Sequence, residues 1–228
     1  MRLVLFDVDG TLLSASGAGR RALSQALSAV YGFAGPIETY DFRGKTDPQI
    51  VFDLMTAAGL TPERIALHLE RCFTVYSEAL KLEIQNGSRV TLMPGVAELV
   101  RRLSEHDEVV VGLLTGNVEA GARIKLEPTG LLPRFRVGAY GSDHADRTEL
   151  PAIAAGRAEE LLGCRIRPGQ VMVIGDTPLD IQCARAFGAR AVAVATGHHS
   201  LEELAAHGPD ALFPNLSDVA AVMAALLR

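Results

Sequence analysis

Residues Leu3 to Phe6 form an unbroken apolar run, and the run stops at Asp7. Continuous rather than alternating apolar positions predict a strand covered on both faces, as in a parallel sheet. The same texture returns at Val109 to Leu114, Val171 to Ile174 and Ala191 to Val194, and Phe135 to Ala139 reads as a further short strand. Helical spacing of three and four fills the gaps, over Val96 to Ser104, Val118 to about Glu127, Glu149 to Leu162 and Leu179 to Phe187, with a last helix ending near Leu226. Strand and helix in alternation predict right-handed crossovers and an α/β fold, a Rossmann-like doubly wound parallel sheet.

One stretch breaks the alternation. From Ser14 to about Arg89 the pattern is helical, with no convincing parallel strand. Ala22, Leu23, Ala26, Leu27 and Val30 line one face of a first helix. Asp47-Pro48 and Thr61-Pro62 each place a cap before a proline that starts a helix. The expected organisation is a core of residues 1–13 and 91–228 with an inserted α-helical cap domain, residues 14–90.

Composition narrows the class. The 228 residues are 48% apolar and 21% charged, ordinary for a globular protein, and no apolar run reaches membrane-span length. Asp7 and Asp9 interrupt the first run too early for a signal peptide. A net charge of −5 without a basic run argues against nucleic acid as a partner. Cys72, Cys164 and Cys183 have no metal spacing and read as buried free thiols in a reducing, cytoplasmic setting.

Three strand ends carry polar residues that packing does not require: Asp7 and Asp9, Thr115, and Asp176. In a parallel sheet these ends share one edge, where such folds bind their ligands. Asp7-Val8-Asp9-Gly10-Thr11 and Asp176-Thr177-Pro178-Leu179-Asp180 supply hard oxygens suited to Mg²⁺. Thr115-Gly116-Asn117, at a helix start, can hold a phosphate oxygen. The plain alternatives are an Asp-rich turn and two helix caps. In the helical insert, Arg43-Gly44-Lys45-Thr46-Asp47 offers two cations over the sheet edge, suited to an anionic or hydroxylated substrate. His198-His199 lacks further ligands and reads as a loop pair.

Taken together, these motifs resemble the haloacid dehalogenase-like phosphohydrolases, in particular members with a helical cap after the first strand. Asp7 to Thr11 match the family's first motif, Thr115 the second, and Gly175 to Asp180 the fourth. The resemblance spans essentially the whole chain. It implies that Asp7 is a nucleophile forming an aspartyl-phosphate, and that Asp9 is the general acid and base. It also implies Mg²⁺ held by Asp7, the Asp9 carbonyl and Asp176, with Asp180 in support. The implied reaction is hydrolysis of a small phosphorylated metabolite by a phosphoglycolate phosphatase-like enzyme. A sugar-phosphate mutase is the nearest rival, and a phospho-aspartate switch a more distant one. The chain departs from the family at the third motif, where a lysine is usual: Asp143 to Leu150 contain none. Lys125, on the helix after Thr115, is expected to supply the catalytic cation by reaching toward Asp7, with Arg147 in support.

Overall fold

The structure is a computed structural model describing residues 1–87 and 89–228. Six strands form one parallel sheet: β1 (Arg2–Phe6), β4 (Val109–Thr115), β5 (Val137–Tyr140), β6 (Val171–Gly175), β7 (Arg190–Val194) and β8 (Ala211–Phe213). Their order is β5-β4-β1-β6-β7-β8. From β1 the chain builds outward through β4 and β5, then returns to the other side of β1 with β6. The order therefore reverses between β1 and β6, and a crevice opens beyond their carboxyl ends. Asp7 and Asp176 are the first residues past those two ends.

Alternation within the strands explains why both faces are covered. Leu3 and Leu5 pack with α6 (Leu150–Leu162) and α7 (Pro178–Phe187) on one side. Val4 and Phe6 pack with α4 (Val96–Ser104), α5 (Glu119–Leu126) and α9 (Val219–Leu226) on the other. All four side chains are fully buried. Each stabilises the sheet by about 1.5–3 kcal/mol.

Between the first two sheet strands lie α1 (Ala18–Tyr31), α2 (Asp47–Ala57) and α3 (Pro62–Gln85). Helix α1 packs along α3, fixed by Tyr31 Oη donating to the Ile65 carbonyl at 2.9 Å. Ser88, inside the 14–90 stretch, lies outside the described residues. The two chains that enter and leave this insertion pair with each other as a short antiparallel ribbon, β2 (Leu13–Ser14) with β3 (Thr91–Leu92). Neither strand was expected. Two residues show no period, and their pairing joins positions far apart in sequence. Edge strand β8 and α8 (Leu201–Ala206) were also unforeseen; β8 is three half-buried apolar residues, too short a run to read as a strand.

Two local readings change. The cap of α2 is Thr46, whose hydroxyl accepts from the Gln49 N–H at 3.3 Å. Asp47 is the first helical residue, so its carboxylate is free to point elsewhere. Cys72 and Cys183 are buried, as expected, but Cys164 is exposed, on the turn after α6.

Candidate active site

The β1 and β6 ends bring carboxylates into one place. One oxygen from each of Asp7, Asp176 and Asp180 lies within 4.8 Å of the others, and all three residues are buried. Gly10 makes this approach possible: its φ is +85°, and a Cβ there would lie 2.4 Å from Asp176 Oδ2. Burial pushes the Asp7 carboxyl up to about 6, with Arg147 opposing that rise and Asp180 adding to it. Burial, then repulsion from Asp7 and Asp180, drives Asp176 well above the usual carboxylate range.

Donors quench only part of this charge. Thr11 Oγ1 donates to Asp176 Oδ1 at 3.0 Å. Arg147 Nη2 donates to Asp7 Oδ1 at 2.9 Å and to Asp180 Oδ1 at 2.5 Å. Thr177 gives its N–H (3.0 Å) and hydroxyl (2.7 Å) to the other oxygen of Asp180. Among the described residues, Asp7 Oδ2 and Asp176 Oδ2 receive no hydrogen bond. Two undonated anionic oxygens in a buried three-carboxylate group are what a hard divalent cation would satisfy, so the residues present fit such an ion. Asp180 has both oxygens engaged and does not line the cavity, so it stands behind Asp7 and Asp176.

The third-motif position now has an occupant. Arg147 opens the short 3₁₀ turn before α6 and is itself buried. Burial would lower its pKa, but Asp180 and Asp7 outweigh that and hold it raised. Its Nε is buried without a hydrogen-bond partner among the described residues, a cost a lysine would not carry.

Lys125 does not make the reach toward Asp7 that was expected. Its Nζ donates to Asp9 Oδ2 and to Asn117 Oδ1, both at 2.6 Å. Helix α5 directs it there: Lys125 lies near the helix's far end, and its buried stem runs back along the site-facing side. Asn117 donates to the same Asp9 oxygen at 2.8 Å and to Thr115 Oγ1 at 2.8 Å. The Asn117 N–H also points to Thr115 Oγ1, at 3.3 Å. With its lone pairs engaged, the Thr115 hydroxyl keeps its proton for an acceptor in the cavity.

The helical insert closes over this floor. A cavity of about 390 Å³ is lined by Asp7, Asp9, Thr115, Gly116, Asn117, Lys125, Arg147 and Asp176 below, and by Arg43, Gly44 and Lys45 from the insert. Contact is tight: Gly44 has φ +70°, and a Cβ there would sit 2.8 Å from Leu179 Cβ. Arg43 is held by Asp41 at 2.7 and 2.8 Å, and Lys45 by the Tyr40 hydroxyl at 2.7 Å and Asp53 at 3.3 Å. Sequence reasoning placed Asp47 at the end of the segment over the site but foresaw no contact for it; its Oδ2 accepts from the Val118 N–H at 2.8 Å, at the start of α5. The Asp47 N–H in turn donates to the Gly116 carbonyl at 2.7 Å. Burial raises the Asp47 carboxyl to about 6. Its signal was an acid beside a cap threonine, which reads locally as the cap itself.

Comparison with known proteins agrees with this geometry. The haloacid dehalogenase-like hydrolase family matches residues 1–188. The chain belongs to that family. A phosphoglycolate phosphatase of Synechococcus elongatus is 29% identical over 230 residues, covering 100% of both chains. A phosphoglycolate phosphatase of Xylella fastidiosa (strain Temecula1) is 30% identical over 205 residues, covering 89% of this chain and 83% of its own. Among solved structures, CbbY from Rhodobacter sphaeroides in complex with phosphate superposes with a TM-score of 0.73 at 18% identity, covering 96% of each chain. That likeness supports the fold.

Proposed function

We propose that this hydrolase is a Mg²⁺-dependent phosphatase that cleaves a small phosphomonoester through an aspartyl-phosphate on Asp7. The observation that carries the reading is the buried group of Asp7, Asp176 and Asp180 at the β1/β6 switch point. The relatives' phosphatase names support hydrolysis over a mutase or a phospho-switch.

Asp7 and Asp176, with Asp180 behind them, would hold Mg²⁺, which neutralises charge between carboxylate and phosphate. Asp7 attacks phosphorus, and the bond to the ester oxygen breaks. Asp9 gives its proton to the departing alcohol, then takes one from the water that attacks the phospho-aspartate, releasing phosphate and restoring Asp7. Asp9 suits that exchange because its side chain is 46% exposed, whereas the Asp7 side chain is 9% exposed. Lys125 and Asn117 fix the Asp9 carboxylate in position. Arg147 offsets the charge of the nucleophile, the role first expected of Lys125. Thr115, with the Gly116 N–H beside it, binds a phosphate oxygen.

We assign residues 14–90 as a cap that excludes water from the floor. Free cysteines support a reducing, cytoplasmic setting for a soluble metabolite. No helix among the described residues is long and apolar enough to cross a membrane. The test is phosphate release from a panel of phosphorylated metabolites, 2-phosphoglycolate included, with Mg²⁺ and with chelator. The reading requires release that depends on the metal and leaves phosphate on Asp7 in acid-quenched protein. Release without the metal, or none from any ester, would overturn it.

A further inference from the structure

The cavity has an upper wall unlike its floor. Leu13, Leu23, Phe42, Ile50, Tyr76 and Met93 face it from the insert and its connecting strands. A volume of about 390 Å³ lies in the range of pockets that enclose a ligand body as well as its reacting group.

The arginines and lysines around this space already have acceptors, and His198 lines its edge without a hydrogen-bond or ion-pair partner among the described residues. Arg20 donates to the Ile37 and Tyr40 carbonyls, and its guanidinium lies 4.2 Å from the Phe42 ring centre. Arg43 is taken by Asp41 and Lys45 by Tyr40 and Asp53. Lys125 and Arg147 serve Asp9, Asp7 and Asp180. A second anion on the substrate would lose its water beside Leu23 and Ile50, where no arginine or lysine among the described residues is left without a carboxylate or carbonyl partner.

Tyr76 is the exception in the wall. Its ring is 2% exposed and packs against Gly121 of α5, where a Cβ would come within 3.1 Å of it. The hydroxyl makes no hydrogen bond among the described residues. It sits beside Lys125: a Cβ on Gly19 would be 3.4 Å from Lys125 Nζ and 3.7 Å from Tyr76 Oη. A hydroxyl that borders the cavity and has no partner among the described residues is placed to bond a polar atom of a ligand.

We infer that the alcohol part of the substrate is neutral, with an apolar body against Leu23, Phe42 and Ile50 and one polar atom bonded to the Tyr76 hydroxyl. This rests on the phosphatase reading above and departs from the carboxylate-bearing glycolate of the relatives' names. The first test is kcat/KM of the Mg²⁺-loaded protein for benzyl phosphate against 2-phosphoglycolate. At least a tenfold advantage for benzyl phosphate is expected; parity or the reverse order overturns the inference and leaves the phosphatase reading standing. The second is calorimetric binding of benzylphosphonate against phosphonoacetate, which needs no turnover. Tenfold tighter binding of benzylphosphonate, with no phosphate released from any ester, would keep the subsite and sink the phosphatase. The third is Tyr76→Phe on benzyl phosphates carrying a para hydroxyl, methoxy or carbamoyl group. A three- to tenfold loss on the best of these, with benzyl phosphate within twofold, supports the hydrogen bond. Equal losses on all would show that Tyr76 only supports the insert and would overturn that bond.

Discussion

The floor of the cavity and its upper wall solve different problems with different materials. The floor packs Asp7, Asp176, Asp180 and Arg147 below the sheet edge, all buried, with Arg147 pairing Asp7 and Asp180 and, among the described residues, Asp176 held only by the Thr11 hydroxyl. The wall carries Leu23, Ile50 and Tyr76 on helices that contain no catalytic carboxylate. Buried charges repel or pair strongly over short distances, so the floor tolerates few substitutions and sees only what all phosphomonoesters share. An apolar wall works by area and shape and can change its preference at small cost in stability. On the proposed reading, chemistry and selection are separated by chain segment.

The comparison breaks if floor substitutions affect substrates unequally. Asp7→Asn removes the attacking charge at nearly constant volume and is expected to cost at least about 10³ in kcat on every ester. Steady-state rates on two unrelated esters check it, with circular dichroism to confirm the fold; activity within tenfold of wild type would exclude covalent catalysis there.

Arg147 and Lys125 sharpen it next. Arg147→Met leaves Asp7 and Asp180 facing each other unpaired, for a loss of about 10²–10³ in kcat, while Arg147→Lys restores most of it. Lys125→Met is expected to cost about tenfold, because Asp9 keeps its 2.8 Å bond from Asn117. Rates at saturating Mg²⁺ decide the order; a larger loss at Lys125 would return the principal cation to α5.

The metal and pH act on stability through the same floor. Asp7 and Asp47 titrate near 6 in the folded chain against an ordinary 3.8, so the metal-free fold binds their protons more tightly than the unfolded chain does. That contribution is complete below about 3.8 and is lost as pH rises through 6. Melting in chelator is therefore expected at a higher temperature at pH 5 than at pH 7. Added Mg²⁺ should raise the pH 7 value by stabilising ionised Asp7 and Asp176. A melting temperature insensitive to Mg²⁺ at pH 7 would remove the ion from the floor.

The smallest effect is expected from the wall's own cations. Arg43→Ala and Lys45→Ala disrupt half-exposed pairs worth about 0–1 kcal/mol and should change kcat/KM by no more than about threefold. A loss of tenfold or more confined to carboxylate-bearing esters would show that these side chains leave Asp41 and Asp53 to bind substrate. It would also move selection back to charge.

Much of this was legible in the chain. Continuous apolar runs identified β1, β4, β6 and β7 because burial on both faces leaves no room for alternation. Asp7, Asp9, Thr115 and Asp176 stood out because each follows such a run, and a parallel sheet places all those ends on one edge. What sequence could not decide were contacts between segments far apart. Lys125 and Arg147 are equivalent as cations in a string; only the direction of α5 and the turn before α6 sends one to Asp9 and the other to Asp7. Asp47 looked like the cap of its own helix because capping signals are local, whereas its bond to Val118 spans 71 residues. The two-residue ribbon at the base of the insertion, Leu13–Ser14 with Thr91–Leu92, has no local period to read. Nor does a run of apolar spacing in α1 to α3 say which side chains face the protein's interior and which face a ligand. Periodicity reports that a face is buried, and only the packed chain determines what it is buried against.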